Sequence, residues 1–371
     1  MSDDLSHRLA RWAAAGVIDA ETAQRITAFE REHASRSGLR WPVLIALAFG
    51  ALLLASGVLL FVAAHWDTMS PASRVALVLL LVASFHMAGA LVGERFPGMS
   101  SALHGVGTAA LGAGIFLAGQ IFNLDEHWPG GVMLWAVGAA LAWVVLRQLP
   151  QLALVAVLAP AWLAGEWMVA AGWSAAGVMA TGLFTLALAY FTGRRGSHVS
   201  RVQLVLWWIG GVALAPAGVY LAAMAADRAI HGRPEARALL LTVGWVVAVG
   251  APLAVAAALR GERAWMNALA AAWAVLIFTV HRVGGEAALY GWCALGAVGL
   301  VAWGVHEVRR ERINMGAALF ALTILAFYFS NVMDKLGRSA SLIGLGVLFL
   351  AGGWALERVR RRLVQQTREV G

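Results

Sequence analysis

The chain has 371 residues, of which 61% are hydrophobic and only 13% charged, with a mean hydropathy of +0.75. Water-soluble domains carry roughly 45–50% apolar and about 25% charged residues, so a soluble enzyme is excluded before any motif is read. The apolar residues fall in runs of about 20, enough to cross a hydrocarbon core of roughly 30 Å. A formal charge of +8 arises from 28 basic residues, all arginine except Lys335, against 20 acidic ones. These cations sit between apolar runs, where anionic headgroups and the positive-inside bias account for them, and this argues against nucleic acid as a partner. The single cysteine, Cys293, lies inside an apolar run and leaves no disulfide framework or CxxC motif. No cleavable signal peptide is visible, because the first 40 residues are polar.

Residues 1–36 differ from the rest. Leu5, Leu9 and Trp12 recur at helical spacing, Gly16 ends that helix, and Asp19 caps a second one with Glu21 in its first turn. Ala23, Ile26 and Phe29 line the second helix. So small a helical hairpin cannot build its own core and is expected to dock on the membrane body or on a cytoplasmic protein partner.

About twelve spans follow, near 41–65, 74–93, 101–122, 131–147, 151–171, 175–192, 202–226, 238–259, 264–281, 287–305, 313–330 and 339–357. Pro160 and Pro216 are expected to kink the spans that hold them. An even number of spans puts both termini on one side. The basic residues, those of the two tails above all, assign that side to the cytoplasm. The expected architecture is an all-α polytopic transmembrane helical bundle. Residues 1–36 form its cytoplasmic hairpin, 41–358 the membrane domain and 359–371 a basic cytoplasmic tail. A weak repeat of about 50 residues is also legible, with Glu262-Arg263 opening one hairpin as Glu311-Arg312 opens the next.

A charge at mid-span costs about 2.5–3.5 kcal/mol on insertion scales, so polar residues inside spans are the first functional candidates. Glu166 stands out, at the predicted outer third of its span beside Trp167. At the same depth lie His65 and Asp67, then Gln120, then the acidic loop carrying Asp125, Glu126 and His127. Together they could line an outer polar vestibule or offer oxygen and nitrogen ligands, with the identity of any metal unknown; equally, outer loops must be polar somewhere. His86, well inside its span, is either a proton relay or a neutral histidine bonded to a neighbouring helix. His104 is expected at the inner interface. The glycine series Gly105, Gly107, Gly112 and Gly114 lacks the Lys-Ser/Thr and the strand of a nucleotide loop, and reads as close helix packing. Tryptophans cluster near span ends as an aromatic belt would. No HExxH, GxSxG or zinc-ligand pattern occurs, and no cofactor is implied.

Three segments carry a family resemblance: Leu9 to Asp19 with Trp12, Gly16 and Ile18; Gly57 to Phe61 running into His65-Trp66-Asp67; and Gly112 to Gln120 with Ile115, followed by Trp135. Over about residues 5–145 the chain resembles the bacterial membrane proteins of domain of unknown function 2157. Its end, from Asn314 through Tyr328 and Asp334, is similar to a related membrane family of unknown function. The resemblance implies a bacterial inner-membrane, multi-pass protein in contact with lipid; it brings no activity and no catalytic residues. The expected function is a transporter or carrier with an outward-facing polar vestibule. The alternatives are a scaffold or sensor acting through the hairpin and an intramembrane enzyme on lipid-linked substrates.

Overall fold

The computed structural model describes residues 9, 11–13, 15–36, 49, 53, 69–122, 127–194, 200–227, 238–331, 346, 347 and 350. The expected spans 41–65 and 339–357 and the basic tail lie outside these residues, apart from isolated positions, as do the candidate site residues His65, Asp67, Asp125 and Glu126. By contacts the chain divides into two compact units, 1–74 and 75–371.

In the first unit, Gly16 takes φ +68 and closes a helix end. The Val17 N–H reaches back to the Trp12 carbonyl and the Gly16 N–H to that of Ala13, a paired bond set that requires the left-handed region glycine enters freely. Helix α1 (Ala20–Arg36) then starts behind Asp19, whose carboxylate accepts from the Thr22 N–H at 2.8 Å. Hydrogen bonding from Thr22 holds the Asp19 carboxyl below its ordinary value. Leu9 is buried, whereas Val17 is 70% and Phe29 58% exposed.

The second unit is a bundle of apolar helices: α2 (Pro71–Val92), α3 (Pro97–Ile121), α4 (Trp128–Leu146), α5 (Leu149–Ala171), α6 (Ala176–Thr192), α7 (Arg201–Ala226), α8 (Ala238–Arg260), α9 (Trp265–His306) and α10 (Arg310–Asn331). Each regular element among the described residues is helical. Local sequence sets the boundaries. Proline occupies the first turn of α3, α4 and α5, where its missing N–H costs nothing. Helix α7 opens on a reciprocal capping box between Ser200 and Gln203. Pro160 and Pro216 lie inside α5 and α7, which run continuously past them.

Eight helical runs among the described residues are long and apolar enough to cross a membrane. The longest, Ala238–His306, is more than one pass, because a tight turn at Gly261–Ala264 separates α8 from α9. Gly285, at φ +68, then breaks α9 itself into two halves. Those halves lie against each other. The rings of Trp273 and Trp292 stack at 6.5 Å, and each indole N–H donates to the other residue's carbonyl.

Helix α6 is the centre of this unit. Its span is 72% buried, against 22% or less for the other runs. It packs on α7, α8 and α9. The α6–α7 contact is made backbone to backbone, since a Cβ at Gly210 would lie 2.4 Å from the Phe191 nitrogen. The glycines of α3 act likewise: Cβ atoms at Gly112 and Gly114 would collide with Trp135 of α4 and Val78 of α2.

Candidate functional site

Three polar clusters stand out, and the first joins two residues that the sequence singles out. Gly165 on α5 admits the start of α4, because a Cβ there would meet Trp128 at 2.6 Å and Pro129 at 3.2 Å. That close approach sets His127, the residue capping α4, beside Glu166. The imidazole Nε2 donates to the carboxylate at 2.9 and 3.1 Å. Trp162, one turn before Glu166 on α5, adds its indole N–H at 3.0 Å. The pair is open to its surroundings, with the His127 side chain 55% and the Glu166 side chain 37% exposed. This open carboxylate–imidazole pair lies near the positive end of α4, which favours negative charge there. Gln120 is exposed in the last turn of α3. No group of three His, Cys, Asp or Glu among the described residues could hold a metal.

The second cluster joins α2 to α3. His86 and His104 face each other with their Nδ1 atoms 2.9 Å apart. Each ring rests on a glycine of the opposite helix: a Cβ at Gly107 would lie 2.9 Å from His86, and one at Gly89 would lie 2.9 Å from His104. Both rings sit about 10 Å in from the helix ends that the α2–α3 loop joins. His104 is only 5% exposed, because the glycine seat draws it into the helix contact. In the neutral pair one Nδ1 carries the shared proton and the other accepts it, which fixes opposite tautomers on the two rings.

The third cluster is one that reading the sequence missed. Where α6, α8, α9 and α10 end or begin together, Glu307 accepts from Arg260 and from Arg312, each at 2.5 Å. Both arginines also donate to the Thr192 carbonyl, at 2.6 and 3.0 Å, and so cap the C-terminus of α6 with positive charge. Asn267 donates to the Thr192 hydroxyl at 3.0 Å. The Trp303 ring lies beneath both guanidiniums, at 5.0 and 5.2 Å, and its N–H joins Glu307. Arg260 and Arg312 are 2% and 1% exposed. Burial alone would raise the Glu307 carboxyl. Hydrogen bonds from Trp303 and Arg260 and the charge of Arg312 overcome it and hold the group at about 2. In the sequence these arginines look like ordinary positive-inside loop residues. The only signal was the polar set Trp303, Glu307 and Arg312 at short spacing around one turn.

The tryptophans divide between two roles. Trp128, Trp173 and Trp265 are about half exposed, as a belt requires. Trp135, Trp162, Trp167, Trp273, Trp292 and Trp303 instead spend their N–H groups on carbonyls or carboxylates inside the bundle.

Residues 10–152 match the predicted membrane protein family DUF2157. The match takes in α1 to α4 and the first turn of α5, so it includes the histidine pair and His127 and stops short of Glu166 and the arginine cluster. No curated protein matches the chain, and no solved structure does.

Proposed function

We propose that the chain is a proton-linked transporter or carrier of the bacterial inner membrane, with about twelve spans and both termini cytoplasmic. The observation that carries this reading is the His127–Glu166 pair with Trp162: an open carboxylate–imidazole site assembled from two helices at one end of the bundle. On the proposed topology that end faces outward. Gln120, Asp125, Glu126, His65 and Asp67 are the further residues that their polarity in the sequence proposes for the vestibule. The His86–His104 pair, on the cytoplasmic side, would pass its shared proton between the two rings. The hairpin of residues 1–36, the membrane body 41–358 and the tail 359–371 act as separate parts.

Right-side-out vesicles containing the protein test this against a panel of labelled solutes under an imposed proton gradient. The wild type is expected to accumulate at least one solute in a gradient-dependent way. Glu166→Gln should lose that dependence while retaining its expression and melting temperature. Absence of gradient-driven accumulation for every solute, or its persistence in Glu166→Gln, overturns the proposal.

The exposed Val17 and Phe29 favour a second reading, a scaffold or sensor whose hairpin binds a cytoplasmic protein. A chain lacking residues 1–36 would then lose its cellular phenotype with its melting temperature unchanged.

A further inference from the structure

Between α6, α7, α9 and α10 lies a cavity of about 920 Å³, at the large end of the range for ligand pockets. Helix α9 borders it from Leu289 to His306, about 25 Å of helix, which is most of a hydrocarbon core. One wall is cut back by Gly218, Ala222 and Ala226, spaced four residues apart on α7. The facing wall is aromatic, formed by Trp273, Trp292 and Trp303.

The polar groups of these walls are largely used elsewhere. The Thr323 hydroxyl donates to Leu319, Trp273 and Trp292 bond to each other, and Trp303 bonds to Glu307. A polar solute would lose its hydration along this length and gain few bonds in return. A hydrocarbon chain loses nothing. Several residues bordering the cavity are also open to the outside of the bundle, among them Leu269 at 66% and Val219 at 53% exposed, so a chain can enter sideways from the bilayer.

One mouth of the cavity is basic. His306 lines that end, and the segments that continue the chain from the lining residues Trp265 and His306 carry Arg263, Arg309 and Arg310 against Glu262 and Glu311, while Arg260 and Arg312 are spent on Glu307 and the Thr192 carbonyl. Arg310 and Arg263 are exposed. We infer that this cavity is a binding site for an anionic phospholipid of the surrounding bilayer, its acyl chains in the apolar slot and its phosphate at the mouth by His306 and Arg310. The site stands independently of the transport proposal.

Native mass spectrometry of the full-length protein, extracted from nanodiscs of equal phosphatidylglycerol and phosphatidylcholine, provides the test. The wild type is expected to retain phosphatidylglycerol severalfold over phosphatidylcholine. Ala222→Phe, which fills the slot, should lose the retained lipid. Val137→Phe, on the exposed face of α4 away from the cavity, should keep it. His306→Gln combined with Arg310→Gln should abolish the preference for the anionic headgroup while leaving chain retention in place. Melting temperatures of all variants, measured in parallel, identify any that fail to fold, and Gly218→Leu supplies a second slot-filling change. Equal retention by folded Ala222→Phe or Gly218→Leu overturns the site. So does a crosslink from the cavity wall to residues 339–357, which would make a span of this chain the occupant.

Discussion

The two ends of the membrane unit solve the same problem, a carboxylate beside a cation, in opposite ways. At one end Glu307 is held by two guanidiniums, an indole N–H and a buried surround, and its side chain is 10% exposed. At the other, Glu166 is held by one imidazole and one indole and stays 37% exposed. Both are charged groups in an apolar protein, yet burial and the number of bonds give them different work. The first fastens four helices together. The second stays open to its surroundings.

Breaking the buried end should have the largest effect. Glu307→Gln leaves two buried guanidiniums without their counter-charge. Stability is expected to fall by about 3–5 kcal/mol, read as a lower melting temperature in detergent. Acid should act on the same bonds. The Glu307 carboxyl is depressed in the folded protein, so its contribution is present above the ordinary carboxyl value of 4.5 and is lost as pH falls through about 2. A thermal melt in Glu307→Gln should lose that part of the acid dependence.

A smaller effect is expected at the histidine pair. Gly107→Ala puts a methyl group 2.9 Å from His86, and overpacking of this kind costs about 1–3 kcal/mol. Loss of the downfield imidazole N–H signal shared by His86 and His104 would accompany it. At the open end, Glu166→Gln should leave the melting temperature almost unchanged and show itself in proton-dependent uptake alone, since exposed ion pairs contribute little to stability. If Glu166→Gln destabilises as strongly as Glu307→Gln, the contrast between the ends fails. Smallest of all, Asp19→Ala removes the Thr22 cap and should fray the start of α1, with faster amide exchange confined to that first turn.

The helices and their ends were written locally, in features a linear reading can find. Apolar runs of membrane length, prolines in first turns, Gly16 and Asp19 around a helix end all act on their own neighbours through hydrophobic transfer and backbone geometry. The polarity of Glu166 inside a span was equally visible. What it bonds to was not. His127 comes from another helix and reaches Glu166 because Gly165 lets α4 close in, and no spacing within a single helix encodes such a crossing. The same holds for His104, whose burial depends on the seat that Gly89 of another helix gives its ring.

Arg260 and Arg312 show the limit most plainly. Along the chain they are two of many arginines at span ends, indistinguishable by composition from exposed Arg263. Their burial depends on where the C-terminus of α6 leaves its Thr192 carbonyl, and on Glu307 being carried to the same point by α9. Sequence by itself determined that this is an all-α membrane protein, because transfer free energy is a sum over residues. Which charges are fasteners and which are open sites was decided by the tertiary structure, because burial is a property of neighbours brought together from distant positions.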